Sequence, residues 1–175
     1  TLLASSAASD VYKRQDHPRG VLILLDLDNF KQINDCEGHP EGDRVLRRFA
    51  GCLSGTFRQG DVTGRIGGDE FVVLIPNSMQ RGILEEKFVI LLEEIRRALG
   101  EWYEKYRVSA SIGAVLVDGT VRDYKKLYRC ADTALYISKY LGKDCFYINE
   151  KMIDCMRREC IGCRTDCPRS SILRD

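Results

Sequence analysis

The sequence predicts an α/β protein of the α+β kind, in which helices cover a central, mostly antiparallel sheet of five strands. Three observations support this fold class. The run VLILLDLD (21–28) is almost continuously apolar, as in a central strand buried on both faces. The runs VTGRI and FVVLI flank Gly67 and Gly68 as the strands of an antiparallel hairpin flank a two-residue turn. Segments with helical spacing of apolar residues separate the other strands, in the order βααββαβαβ without an internal repeat.

The other elements follow from periodicity and residue type. Proline suits a first helical turn, and apolar residues recur at helical spacing after Pro40. The run RVSASIGAVLV alternates and is rich in β-branched residues, which is typical of a strand. The predicted elements are helix 40–57, the hairpin, a helical stretch 78–106 interrupted near Gly100, strand 107–117, helix 123–141 and strand 145–148.

Composition limits the classes of function. A chain of 175 residues with 44% hydrophobic residues can bury the core of one domain. A net charge of +1 gives no broad basic surface for nucleic acid, and no apolar run approaches the length that spans a membrane. Four cysteines scattered among the predicted helices and strands are typical of reduced thiols in a cytoplasmic protein. They are Cys36, Cys52, Cys130 and Cys145.

Residues 1–15 are expected to be a leader foreign to the domain. The stretch SSAASDVYKRQ can be encoded codon for codon by a sequence that resembles a transposon-end adapter used to prepare sequencing libraries. It has no continuous apolar core of signal-peptide length. We therefore expect a domain over residues 16–149 and a cysteine-rich tail over 150–175. The chain would then be part of a longer protein, which an upstream segment can anchor to a membrane.

The hairpin carries two adjacent acids, Asp69 and Glu70, that the turn itself does not require. One interpretation is a solvated acidic turn. Neighbouring carboxylates repel by about 1 kcal/mol in water and more where water is scarce, so the other interpretation is that a cation lies beside them. If the first strand lies next to the hairpin, Asp26 meets both acids. Three carboxylates would then form the kind of oxygen pocket that Mg²⁺ prefers.

Five motifs lie in order along residues 20–149: DLDNFKQIND, GHPEGD, RIGGDEF, SIGA and ADTALYISKYLGKD. On these motifs the sequence resembles the GGDEF family, the diguanylate cyclases. The resemblance implies a ferredoxin-like palm similar to those of nucleotide cyclases and polymerases. It also implies that two GTP molecules are condensed into cyclic di-GMP with release of two pyrophosphates, in an antiparallel homodimer whose domains each hold one GTP.

The resemblance also assigns the metal site and the chemistry. Asp26, the main-chain carbonyl of Leu27, Asp69 and Glu70 would hold Mg²⁺, or Mn²⁺ as an alternative. Asp69 would accept the proton of the attacking 3′-hydroxyl, and Lys31 would neutralise charge on the triphosphate. Acids at this junction suit in-line phosphoryl transfer, in which metal ions stabilise the attacking and leaving oxygens.

Substrate contacts are implied in the same way. Lys139 and Lys143, four residues apart and expected on one helix face, would bind the β and γ phosphates. The family usually has arginine at the second position, and lysine lacks the bidentate fork. Asn34 and Asp43 would read guanine, and His39 would line the same pocket. The alternative for each residue alone is an ordinary surface polar group or helix cap.

The stretch RQGD, Arg58 to Asp61, matches the RxxD inhibitory site of the family, where a cyclic di-GMP dimer binds and arrests the enzyme. Arginine can contact a guanine edge and a phosphate together. The alternative is an ordinary turn before a strand. The usual opening helix of the family, with a pattern like DxLTGLxNR, is absent, and no upstream sensory or regulatory domain is present in this sequence.

Four cysteines crowd the tail at spacings that resemble metal sites. A zinc ion or an iron–sulfur cluster is one interpretation, and a flexible cysteine-rich end is the other. A metal-bound tail would be a redox or metal switch for dimerisation. The residues are Cys155, Cys160, Cys163 and Cys167.

The sequence leaves one rival to the enzyme. A GGDEF domain that has lost turnover can act as a receptor for GTP or cyclic di-GMP. Receptors of this type usually lose the carboxylates, whereas Asp26, Asp69 and Glu70 are all present. The sequence therefore favours the enzyme.

Overall fold

Five strands and five helices make up the part of the chain that the computed structural model describes, residues 19–77, 79–119 and 123–150. The strands are β1 Arg19–Asp28, β2 Val62–Arg65, β3 Glu70–Ile75, β4 Ser109–Asp118 and β5 Phe146–Asn149. The helices are α1 Phe30–Glu37, α2 His39–Thr56, α3 Arg81–Leu99, α4 Glu101–Tyr106 and α5 Tyr124–Tyr140.

The sheet has the order β2-β3-β1-β4-β5. Every neighbouring pair is antiparallel except β4 and β5, which are parallel. This confirms the predicted mostly antiparallel five-stranded sheet. β1 lies at its centre, and residues 20–28 are all buried, which explains the almost continuous apolar run.

Alternate residues of β1 contribute to two layers of core. Val21, Ile23 and Leu25 belong to the larger cluster, with side chains of α2 and α3. Leu22 and Leu24 point to the other face and pack with side chains of α5. The two-residue period of a strand therefore places helices on both faces of the sheet.

Gly113 lets α5 lie directly on β4. A Cβ atom at this position would overlap the main-chain nitrogen of Leu135. Next to this contact, the Ser138 hydroxyl donates a hydrogen bond of 2.6 Å to the carbonyl of Ile112. The glycine of the SIGA motif thus fixes the distance between the sheet and the helix that carries Lys139.

The predicted elements are confirmed with boundary shifts of a few residues, and the structure adds the limits of α1, whose bounds the sequence analysis did not give. Gly38, at φ 87°, separates α1 from α2, and Gly100, at φ 43°, separates α3 from α4 at the predicted interruption. None of the described helices combines the length and apolarity that a membrane span requires.

The predicted two-residue Gly-Gly turn is wrong. β2 and β3 do pair antiparallel, but the last pair is Arg65 with Phe71, so the connection is longer. The amides of Ile66 and Gly67 both donate to the carbonyl of Glu70, at 2.8 and 3.3 Å. Neither Gly67 nor Gly68 has a left-handed φ, so the glycines are not there for that reason.

Candidate active site

The antiparallel pairing of β1 with β3 brings the predicted acids to one edge of the sheet. Asp26 lies directly opposite Glu70 in the register. The amide of Leu27 donates a hydrogen bond of 3.2 Å to the carbonyl of Asp69, which fastens the hairpin loop to β1. The prediction that the first strand lies beside the hairpin is confirmed. The role of the Leu27 carbonyl stays a prediction.

The expected three-carboxylate pocket is not assembled in this structure. Within residues 19–77, 79–119 and 123–150, no group of three or more acidic, histidine or cysteine side chains is placed to hold a metal ion. The reason is that the carboxylates have separate neighbours. Asp26 Oδ2 lies 2.7 Å from the ammonium of Lys139, and the Glu70 carboxylate lies over Gly67.

Asp26 lies in surroundings that disfavour the charged form of its carboxyl group. It is only 7% exposed, and this burial raises the pKa of its carboxyl to about 6, from an ordinary value of 3.8. The hydrogen bond and charge of Lys139 oppose the rise, whereas the charges of Asp69 and Asp28 add to it. Burial is therefore the main reason that the charged form of Asp26 is disfavoured, and the two acids add to it.

Gly67 and Arg65 shape the loop that carries the acids. A Cβ atom on Gly67 would come within 2.9 Å of Glu70 Oε2, so glycine leaves room for that carboxylate. The Arg65 guanidinium donates from Nε to the carbonyl of Gly67 at 3.0 Å and from Nη2 to that of Gly68 at 2.7 Å. Arg65 thus clamps the loop from β2, a role that the sequence analysis missed although the motif RIGGDEF contains the residue.

The phosphate lysines do not share a helix face, so that prediction is wrong. α5 ends at Tyr140, and Lys143 lies in the following turn with a φ of 66°. Both lysines nevertheless reach the end of β1. Lys139 binds Asp26, and Lys143 Nζ donates to Asn29 Oδ1 at 2.7 Å. Lys31 is exposed on α1.

The predicted guanine residues lie around the contact between α1 and α2. Asn34 is half-buried, whereas His39 and Asp43 are exposed. A Cβ atom on Gly42 would overlap Asn34 Oδ1, so the glycine places Asn34 beside the first turn of α2. A cavity of about 480 Å³ between α2 and β2 is lined by residues that include Asp43 and Arg65.

Asp28, which the sequence analysis did not single out, is the most completely bonded acid at this edge. Its carboxylate accepts hydrogen bonds from the hydroxyls of Ser109 and Ser111 at 2.9 and 2.8 Å, and from the amide of Asp144 at 3.1 Å. The sequence does contain a signal for these bonds, since the run DLD of β1 pairs with the run SAS of β4. Recognising the signal requires the register of the two strands, which the sequence analysis did not have.

Arg58 and Asp61 form a closed turn before β2. The amide of Asp61 donates to the carbonyl of Arg58 at 3.0 Å, and the amide of Arg58 donates to Asp61 Oδ2 at 3.1 Å. The Arg58 side chain is 68% exposed, whereas that of Asp61 is 4% exposed. The turn precedes Val62, which pairs with Leu74, so it lies at the end of β2 away from the acids. The four tail cysteines lie outside the described residues.

A mixed five-stranded sheet with acids at the β1–β3 junction and lysines from the last helix and turn defines a GGDEF-type α+β domain. The chain belongs to this family, because the family model described as "Diguanylate cyclase, GGDEF domain" matches residues 2–145. The match includes most of the segment expected to be a leader, so the boundary at residue 15 stays a prediction.

Individual relatives agree with the family. The chain is 36% identical over 129 residues to diguanylate cyclase DgcS of Shewanella oneidensis, a match that covers 73% of this chain and 42% of that protein. The chain thus spans less than half the length of this curated relative.

Solved structures agree as well. An EAL/GGDEF domain protein from M. capsulatus is 33% identical with a TM-score of 0.63, over 83% of this chain and 93% of that one. A microbial GGDEF domain studied with cyclic di-GMP is 31% identical with a TM-score of 0.66, over 84% and 89% of the two chains.

Proposed function

We propose that this chain is the catalytic domain of a diguanylate cyclase, which condenses two GTP into cyclic di-GMP and releases two pyrophosphates in a Mg²⁺-dependent reaction. The observation that carries the proposal is the β1–β3 junction, where Asp26 lies opposite Glu70. Lys139 and Lys143 reach the same strand end. Acids for a metal and cations for a triphosphate therefore lie together.

The donor atoms suit a magnesium ion. Carboxylate oxygens are the ligands that Mg²⁺ prefers, and a divalent cation would stabilise the charged form of Asp26, which burial and the neighbouring acids disfavour. Asp26, Asp69 and Glu70 would hold the ion, which when bound stabilises charge on the attacking and leaving oxygens. Mn²⁺ has similar ligand preferences.

The ion pair of Asp26 with Lys139 gives the lysine two roles in this proposal. Before substrate binds, Lys139 neutralises the buried acid across 2.7 Å. For Asp26 to become a metal ligand, Lys139 must exchange the carboxylate for another anion. The β and γ phosphates of GTP supply that anion, so substrate and metal bind together.

The reaction itself needs a base and an oriented nucleotide. Asp69 takes the proton of the 3′-hydroxyl of one GTP as that oxygen bonds to the α-phosphorus of the other. The bond from that phosphorus to the β-phosphate oxygen breaks, and pyrophosphate leaves. Lys31 and Lys143 bind phosphate, and Asn34, His39 and Asp43 hold guanine. Two antiparallel domains, each with one GTP, carry out the two transfers.

Cyclic di-GMP formation tests the proposal. The chain is incubated with GTP and Mg²⁺, alone and with a dimerising helix fused upstream, and the nucleotides are separated by chromatography. We expect cyclic di-GMP and pyrophosphate from the fused dimer. A fused dimer that binds GTP without converting it would contradict the enzyme and favour the receptor.

Feedback at Arg58 and Asp61 is a second part of the proposal. The guanidinium of Arg58 is exposed, and its Nε lies 3.9 Å from Asp61 Oδ1, which is buried and has no hydrogen-bond partner among the described residues. A guanidinium held this loosely can still bind a guanine or a phosphate. The turn lies away from the acids, so losing it should leave the chemistry intact.

Progress curves test the feedback site. Arg58→Ala should keep a near-normal initial rate and continue where the wild-type chain slows as product accumulates. Gln59→Ala changes an exposed neighbour in the same turn and serves as the control. If added cyclic di-GMP neither binds nor inhibits the wild-type chain, RQGD is an ordinary turn.

A further inference from the structure

The turn after α5 has an unusual backbone. Gly142, Lys143 and Asp144 are three successive residues with positive φ, at 116°, 66° and 50°. Glycine adopts such angles readily, but lysine and aspartate do so at a cost in conformational energy. A strained segment of this kind persists only where its surroundings fix it.

Asp28 fixes the turn from the sheet. It accepts the amide of Asp144 at 3.1 Å while the hydroxyls of Ser109 and Ser111 hold its two oxygens. Only 2% of Asp28 is exposed. Since water has little access to this carboxylate, moving the Asp144 amide away would leave a buried acceptor underbonded.

Arg96 fixes the same turn from the helical side. From α3, its Nε donates to both carboxylate oxygens of Asp144, at 3.0 and 2.8 Å, and its Nη2 donates to the Asp144 carbonyl at 3.2 Å. The Tyr103 hydroxyl adds a bond of 3.2 Å to Asp144 Oδ2. The planar guanidinium therefore fixes both the side chain and the backbone of one turn residue.

The residue held by these contacts is next to Lys143. The Lys143 amide donates to the carbonyl of Ser138 at 3.1 Å, and its ammonium lies 2.7 Å from Asn29 Oδ1 beside the end of β1. The direction of the Lys143 side chain is thus set by a turn that cannot relax independently of Asp144.

We propose that Arg96 and Asp28 are positioning residues for triphosphate binding, acting through Asp144 on Lys143. Neither residue contacts the nucleotide. This inference rests on the proposed function, in which Lys143 binds the phosphates of GTP. It predicts a loss that grows with the number of phosphates on the ligand, because Lys143 is assigned to the phosphates and not to the base.

Two arginines on α3 provide a matched comparison. Arg96 bonds to Asp144 at 2.8 Å, whereas Arg81 bonds to Glu85 and Glu150 at 2.7 Å, at the other end of the same helix. Both pairs are partly exposed. Arg96→Ala therefore removes one ion pair of α3 and Arg81→Ala removes two, but only Arg96→Ala removes a support of the turn.

The experiment measures binding of GTP and of GMP by calorimetric titration to the full 175-residue chain in the presence of Mg²⁺. Both nucleotides are used as their 3′-deoxy analogues, which lack the attacking hydroxyl, so that no turnover occurs. Thermal unfolding of each variant is recorded in parallel. Arg96→Ala should weaken GTP binding about tenfold, the usual effect of losing charged hydrogen bonds, and change GMP binding by less than about twofold. Arg81→Ala should change neither. Arg96→Lys, which keeps the charge without the fork, should recover only part of the GTP affinity.

Three results would overturn the inference. If Arg96→Ala weakens GTP and GMP equally, the arginine acts on the fold as a whole. If Arg96→Ala binds GTP as tightly as Arg81→Ala does, Lys143 is positioned without Arg96. A wild-type chain that binds GTP no more tightly than GMP would overturn the proposed phosphate site, and the inference with it.

Discussion

Two carboxylates at the end of β1, two residues apart in the sequence, have opposite surroundings. Asp28 accepts three hydrogen bonds from β4 and the turn after α5. Asp26 is bound by the ammonium of Lys139, faces two further acids, and has its pKa raised to about 6. Both are buried. Asp28 therefore has a structural role, because the fold itself supplies its hydrogen bonds, whereas Asp26 remains available to a ligand.

The largest expected effect falls on the available acids. Asp69→Asn removes the proposed base and metal ligand but keeps the main-chain carbonyl that accepts from Leu27. Turnover of GTP should fall by at least about 100-fold, with little change in the melting temperature. Asp35→Asn, at an exposed acid of α1, is the control. A variant that keeps more than a tenth of the wild-type rate would contradict the assignment.

The next effect compares Asp26 and Asp28 directly. Asp28→Asn places an amide among three donors and should lower the free energy of unfolding by about 2 to 3 kcal/mol. Asp26→Asn removes a charge that burial disfavours, so the fold should be as stable or more stable at pH 7. Urea unfolding measures both. If Asp26→Asn is the more destabilising variant, the assignment of a structural role to Asp28 and a ligand-binding role to Asp26 is wrong.

The pH dependence of stability sharpens the same contrast. The folded state holds the Asp26 proton up to about pH 6, whereas the unfolded state releases it near the ordinary value of 3.8. The folded state therefore binds more protons in this window, and the Asp26 contribution to stability falls by about 2 kcal/mol as pH rises from 4 to 6. Unfolding of the wild-type chain and Asp26→Asn across this range isolates the contribution. If the difference in the free energy of unfolding between the two proteins does not change with pH, the folded state does not raise the pKa of Asp26.

The sheet and the junction of acids could be predicted because they depend on local patterns. The apolar run of β1 and the hairpin predict the strands, and the resemblance to the GGDEF family implies that Asp26 lies near the hairpin acids, as the register with Glu70 confirms. The partners of the side chains could not be predicted in this way. Lys143 leaves the helix because α5 ends at Tyr140, and the turn depends on Asp28, which is distant in sequence. Such tertiary contacts override helical spacing.

The smallest expected effect concerns two glycines of α2, one in contact with a neighbouring side chain and one open to solvent. Gly42 lies against Asn34 Oδ1, whereas a Cβ atom on Gly51 would meet nothing within 4 Å. Gly51→Ala should therefore raise the free energy of unfolding by about 0.5 to 1 kcal/mol, the ordinary gain from replacing glycine in a helix. Gly42→Ala should lose this gain, because the added methyl group displaces Asn34.

Nucleotide selectivity shows whether the packing at Gly42 serves the proposed guanine site. If Asn34 reads guanine, Gly42→Ala should narrow the preference for GTP over ATP, and Gly51→Ala should leave it unchanged. Discrimination against ATP depends on polar groups that pair with guanine and that adenine leaves unpaired, and displacing Asn34 removes one of them from the site. In a chain that already carries Asn34→Ala, the overlap with Asn34 is relieved and only the approach to Phe30 Cζ, at 3.2 Å, remains. Gly42→Ala should then recover part of the helical gain and have no further effect on selectivity. Equal stabilisation by the two glycine substitutions, with selectivity unchanged in both, would show that Gly42 does not hold Asn34 in place and that guanine is read by other residues.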